Sequence, residues 1–347
     1  MKVPVLLTAA AVLVLNVVPS AAEAQHLNPV IDLLAAKKQV FGLYAPSNPR
    51  GGRGGGRGGP PGAAGAPVTP PPVDTTPRKT PADLAKVAVT NTTSDFIFSG
   101  DMEGPGTFDQ AYTTFADFAK GMAMAEPATK TKRAHPLFVK TPEIAVDPTL
   151  ANTRISRQLN TGVMGIVMVG VESAAEVKQG LAAMRFKSKG GTRPDDVGDA
   201  PAAWGMSEKE YKEKADVWPL NPKGELVNMV IVESKVGLAH LDEIAAVPGI
   251  SILVPGAGTL GGVMVKVSAD GKDSLDANGR KVRDPVAWEG AIQQILAACK
   301  KNKLPCGYPS SEANVEQRIK EGFNVHIINW GDAGFKVVDM GRKAGGR

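Results

Sequence analysis

Val227-Asn228-Met229-Val230-Ile231-Val232 is a run apolar at every position but Asn228, followed by the carboxylate Glu233. A run of this length, rich in β-branched residues and bounded by polar ones, reads as a buried parallel strand. A helical stretch follows at Leu238–Ala246, and a second apolar run at Ile250–Val254. Strand, helix, strand in this order is the βαβ unit, and the rest of the chain repeats it. Towards the N-terminus the strands are Gly165–Val171, Leu137–Val139, Phe96–Phe98 and Val40–Tyr44. Their helices lie near Ala174–Phe186, Pro148–Asn160, Phe108–Met124 and Pro81–Val89, the last with Thr80 as N-cap. Towards the C-terminus, a long loop and a helix at Trp288–Lys301 lead to Cys306–Tyr308, a helix at Glu312–Glu321, Phe323–Ile328 and a tail. Eight β units mostly followed by helices are the pattern of a (β/α)₈ barrel. A doubly wound open sheet alternates in the same way, so periodicity leaves both open.

The first 24 residues have a separate character. Met1-Lys2, an apolar run from Val3 to Val18 and the small-residue ending Ala22-Glu23-Ala24 read as a secretory signal cut after Ala24. The mature chain, 25–347, is then expected outside the cytoplasm, periplasmic or secreted, with no later apolar stretch long enough to span a membrane. The expected organisation is one barrel domain, interrupted at about 49–80 by a Gly/Arg/Pro-rich insert. That segment has too little apolar surface to offset its conformational entropy and is expected to be disordered. If the fold is a barrel, it joins the first strand to its helix on the catalytic rim.

The formal charge is +5. Arg50, Arg53, Arg57, Arg78 and Lys79, against Asp74 alone, place most of that excess in the insert. The remaining body is close to neutral, which excludes a broad phosphate-binding face and argues against a nucleic-acid partner. Cys299 and Cys306 are the only cysteines, which rules out a disulfide scaffold. An exported chain can bridge them, or they can be two buried thiols. The glycines of Gly256–Gly262 lack the lysine of a phosphate loop and the spacing of a dinucleotide fingerprint. The four histidines have no zinc-ligand spacing: His26 is near the mature start, His135 precedes the third strand, His240 lies in a helix and His326 inside the last strand. Ser310-Ser311, after the seventh strand, are candidates for a carboxylate contact or a helix cap.

From Phe41-Gly42-Leu43-Tyr44 to Gly322–Asn329 the chain resembles the HpcH/HpaI aldolase and citrate lyase family. The resemblance is carried by Asp101-Met102-Glu103, Phe138–Ile144, Trp204-Gly205 with Tyr211, Ile231–Ser234, Ala245–Gly249 and, most specifically, Ala215-Asp216-Val217-Trp218-Pro219-Leu220-Asn221-Pro222. It implies a phosphoenolpyruvate/pyruvate-like TIM barrel, commonly a homo-oligomer. It also implies Mg²⁺ or Mn²⁺ holding a 2-oxo acid as its enolate, a nearby arginine and a His–Asp base, for making or breaking a carbon–carbon bond.

Matched residue by residue, the family's site is altered. Glu233 stands at the metal-binding glutamate after the fifth strand, sharing a strand face with Met229 and Ile231. The second metal carboxylate is expected in Gly256-Ala257-Gly258-Thr259-Leu260, where Thr259 replaces aspartate. The catalytic histidine is expected after Asp101-Met102-Glu103, where Gly104 stands, so Asp101 lacks its imidazole partner. The arginine of the third strand is Lys140, which keeps the charge without the planar fork. The glutamine two residues before Glu233 is Ile231. One of the five core positions is retained, one is changed conservatively and three lose their chemistry. Lys140 and Asp101 are the catalytic candidates, Lys140, Gly258 and Thr259 the substrate-binding ones, and Glu233 the metal candidate. Glu233 also reads as a barrel carboxylate paired with Lys140 or another cation, and Glu172 as structural polarity. The resemblance implies retro-aldol cleavage of a 4-hydroxy-2-oxo acid, with the divalent metal held weakly or not at all. A barrel that binds a small oxo acid without catalysis, or serves as an interaction protein, is the alternative. Lys140 acting as a nucleophile is a third.

Overall fold

The computed structural model describes residues 26–48, 77–104, 108–127 and 133–347. Residues 1–25, expected to hold the signal segment, and most of the Gly/Arg/Pro-rich stretch, residues 49–76, lie outside the described residues, and so do the expectations about them.

Eight parallel strands form one sheet: β1 Val40–Tyr44, β2 Phe96–Ser99, β3 Leu137–Thr141, β4 Gly165–Met168, β5 Val227–Val232, β6 Ile252–Pro255, β7 Gly307–Pro309 and β8 Val325–Ile328. Their spatial order is β6-β5-β4-β3-β2-β1-β8-β7, so every hydrogen-bonded neighbour is a sequence neighbour or the β8–β1 pair. A parallel bridge between Leu253 and Cys306, with the Leu253 N–H donating to the Pro305 carbonyl at 3.0 Å, links the two ends. A doubly wound sheet reverses its order at a switch point. This one runs round without reversal, and the alternative left open by periodicity resolves to the (β/α)₈ barrel.

Register assigns the faces. Gly42 pairs with Phe96, Tyr44 with Phe98, Phe98 with Phe138, Phe138 with Gly165 and Lys140 with Val167. Paired residues on neighbouring strands point the same way, so this row extends through Val167, Met229 and Ile252, with Ile231 and Val254 one level higher. Phe96 and Phe138 stack within it at 4.7 Å. A Cβ on Gly42 would collide with the Phe96 ring and one on Gly165 with the Phe138 ring, so the glycines make room for the aromatic pair. Above this layer the row ends in Tyr44, Lys140 and Glu233.

Local signals account for the helices around the barrel. Thr80 caps Pro81–Thr90, Ser173 caps Ala174–Met184 and Asp284 caps Pro285–Asn302, each side chain accepting first-turn N–H groups. Cys299, on the last of these helices, is disulfide-bonded to Cys306 just before β7. The side chain of Asn48 bonds the backbone of Lys79 twice, both at 2.8 Å, so the insert leaves and rejoins the fold at one place beyond the C-terminal end of β1.

Several elements differ from the sequence reading. The stretch Leu238–Ala246 is two short helices, Lys235–Ala239 and Leu241–Ala245. His240 is not inside a helix but at their junction, where its Nδ1 lies 2.9 Å from the Glu172 carbonyl. Ala257–Val263 is a helix although its glycines read as a loop, because it seats Ala257 and Leu260 on the barrel. The tail is a helix, Asp332–Ala344, packed through Val337, Val338 and Gly341, the last against Phe41. Ser310 is neither free for a carboxylate nor a helix cap: it is buried, with Oγ 2.8 Å from His326 Nδ1. No helix among the described residues is long and apolar enough to cross a membrane.

Candidate active site at the C-terminal rim

The candidate residues come from the C-terminal ends of six strands: Tyr44 from β1, Asp101 and Glu103 beyond β2, Lys140 on β3, Gly170 beyond β4, Glu233 beyond β5, and Gly258 and Thr259 beyond β6. This is the end at which barrel enzymes place their chemistry, because loops can vary there without disturbing the closed sheet.

Lys140 is the only cation that the sequence matching placed here. Its ammonium donates to Glu103 Oε2 at 2.9 Å, and its side chain is 15% exposed against 44% for Glu103. Burial alone would lower its proton affinity, but Tyr44, Glu103 and Glu233 around it together raise it above the ordinary lysine value. Lys140 is therefore a fixed positive charge at neutral pH and a poor nucleophile.

Glu233 does not take Lys140 as its hydrogen-bond partner. Its Oε1 accepts the Gly170 N–H at 3.0 Å, and the Thr259 side chain is close enough to the same carboxylate to favour its charged form. Burial nevertheless pushes its carboxyl above the usual range, against the pull of Thr259 and Lys140. Gly256 is a required glycine, since a Cβ there would strike the Glu233 side chain. Glu143 is likewise raised, by burial and then by repulsion from Glu233 and Glu172. Glu172 accepts from Ser234 Oγ at 2.6 Å.

Asp101 is exposed on this rim and accepts from Ser99 Oγ at 3.2 Å. Thr259 and Gly258 are exposed in the first turn of the 257–263 helix. The structure thus brings Lys140, Glu103, Glu233 and Thr259 together, with Asp101 further out. Sequence reasoning passed over Tyr44 and Gly170. Tyr44 is the last residue of β1, and a polar residue at a barrel strand's C-terminal end is the signal that could have found it.

These residues do not fit a divalent ion held by protein carboxylates. Such an ion takes several oxygen ligands with free lone pairs. Glu233 is the one carboxylate at the expected place, and one of its oxygens already accepts the Gly170 N–H. The position that should add a second carboxylate is Thr259, whose neutral hydroxyl is a poorer ligand for a hard cation. Among the described residues no three His, Cys, Asp or Glu side chains are grouped to hold a metal ion.

Residues 123–339 match the family model of the HpcH/HpaI aldolases and citrate lyases. Among solved structures, the chain resembles an HpcH/HpaI aldolase/citrate lyase family protein from Burkholderia cenocepacia J2315, with a TM-score of 0.59 at 17% identity, over 91% of this chain and 97% of that one. An HpcH/HpaI aldolase from Desulfitobacterium hafniense DCB-2 matches with a TM-score of 0.55 at 15% identity, over 92% and 95% of the two chains. Macrophomate synthase matches with 0.53 at 20% identity, over 93% and 90%. At these identities the likeness is one of fold. No curated protein sequence matches the chain.

Proposed function

The chain belongs to the HpcH/HpaI aldolase/citrate lyase family, and we propose that it binds a small 2-oxo acid at the barrel rim and retains, at most, a slow carbon–carbon lyase activity on 4-hydroxy-2-oxo acids. The observation that carries this reading is the Lys140 ammonium, held on the inward face of the barrel mouth by Glu103 at 2.9 Å. A fixed cation in a partly buried site recognises a carboxylate or a developing enolate more strongly than one in water.

In the cleavage direction the bond between C3 and C4 breaks. Its electron pair moves through C3 onto the 2-oxo oxygen as an enolate, beside Lys140. The 4-hydroxyl proton goes to Glu233, whose burial gives it more basicity than an ordinary carboxylate, and the C4 fragment leaves as an aldehyde. Protonation at C3 then yields pyruvate or a related oxo acid. A well-placed general base contributes about 10²–10⁴-fold, and Gly104 supplies no imidazole where one is expected, so turnover is slow in this reading.

The second reading, an oxo-acid-binding barrel without catalysis, is favoured by the engagement of Glu233 with the Gly170 N–H and by Thr259 standing where a second carboxylate is expected. Calorimetric titration with pyruvate and oxamate, paired with an assay for pyruvate release, tests both. Binding with slow release supports the lyase, binding without release supports the second reading, and no binding refutes both. In either reading we place the protein outside the cytoplasm, on the signal-like residues 1–24.

A further inference from the structure

A 2-oxo acid presents two or three oxygens in one plane, whereas a lysine ammonium is a point charge that cannot offer two parallel donors as a guanidinium does. A site built on Lys140 alone would hold such a ligand without orienting it. The side chain nearest to correcting this is Tyr44.

Tyr44 and Lys140 share the barrel's inward row through the register of β1, β2 and β3. Gly100 lies between them: a Cβ on it would meet Tyr44 Cε1 at 3.6 Å and Lys140 Cδ at 3.8 Å, so both side chains line one small space. The Tyr44 ring is fixed edge-on against Phe98, with centroids 4.9 Å apart. The residue is half-buried, at the C-terminal end of β1. We propose, resting on the oxo-acid reading above, that Tyr44 is a substrate-binding residue whose phenolic O–H donates to the ligand beside the Lys140 ammonium. Together they form a two-point clamp on one end of the acid. Burial raises the proton affinity of the Tyr44 phenol against the opposing pull of Lys140, so it is a donor at neutral pH.

The test titrates the whole mature protein with oxamate, without added metal, for wild type, Tyr44→Phe, Lys140→Met and the double variant. Tyr44→Phe keeps the ring against Phe98 and should melt with wild type. It should weaken oxamate binding about tenfold, the value of a hydrogen bond to a charged ligand. In wild type, oxamate should perturb the ultraviolet absorption of tyrosine, and this signal should vanish in Tyr44→Phe. Losses in the double variant should be less than additive, because both donors serve one ligand. If wild type binds and Lys140→Met does not, while Tyr44→Phe binds as wild type with its difference signal intact, the clamp is wrong and the oxo-acid reading stands. If wild type does not bind oxamate, both fall.

Discussion

The ammonium of Lys140 lies 2.9 Å from the carboxylate of Glu103, not on Glu233. An incoming oxo acid must therefore compete with Glu103 for its cation. Glu103 is the more exposed of the two, so the pair is screened and contributes about 1 kcal/mol or less. Glu103→Gln should tighten oxamate binding by a few-fold, whereas Lys140→Met should weaken it at least about tenfold. Both are read from calorimetric titrations of the purified chain. Tightening in Lys140→Met would mean that the ligand sits elsewhere.

Thr259→Asp tests whether the metal seat can be rebuilt. It replaces a neutral hydroxyl by a second carboxylate, so Mn²⁺ should bind more tightly than to wild type. Adding Gly104→His returns an imidazole beside Asp101, where the pair could serve as a base near neutral pH. The combined variant should gain more oxo-acid release than the single changes suggest, since residues acting as one unit are non-additive. Unchanged Mn²⁺ affinity in Thr259→Asp would show that the two side chains cannot reach one ion.

The strands were legible in the sequence because they are buried on both faces and read as apolar runs; Val227–Val232 was placed residue for residue, while the barrel rather than an open sheet was implied by the family resemblance. The helix 257–263 was hidden by its glycines and the C-terminal helix 332–344 by its glycines Gly334 and Gly341, both being held by packing that local propensity does not reveal. Matching positions found Glu233, Thr259 and Lys140 individually. It did not show which of them touch, because Lys140's choice of Glu103 depends on the length and direction of side chains from different strands. Tyr44 was missed because a tyrosine ending an apolar run reads as core.

His326 is a buried neutral imidazole in β8, between Ser310 and Gln39, and burial lowers its pKa from 6.5 to about 4. Between those values the unfolded chain holds a proton that the native state does not, so stability rises with pH across this window. Its contribution, about 3 kcal/mol, is complete above pH 6.5 and lost as pH falls through 4. Denaturant titrations from pH 4 to pH 7 should show this slope, and His326→Gln should flatten it. An unchanged slope in the variant would assign the acid sensitivity to other groups.

The Cys299–Cys306 bond closes a short loop, with a sequence separation of 7. Loop-closure entropy for so few residues gives about 2 kcal/mol. The Cys299→Ser/Cys306→Ser protein should lose about that much in urea unfolding while binding oxamate as wild type, because the bridge is remote from Lys140 in the fold. Loss of binding at full stability would tie the bridge to the rim.

The most direct test of the account is Mn²⁺-dependent pyruvate release from a 4-hydroxy-2-oxo acid, measured for wild type and for Glu233→Ala. A rim in which Glu233 already accepts from Gly170, and Thr259 supplies no second carboxylate, predicts little release by wild type and no stimulation by Mn²⁺. Robust Mn²⁺-dependent cleavage by wild type, with both Mn²⁺ binding and cleavage abolished in Glu233→Ala, would contradict it and establish Glu233 as a working metal ligand.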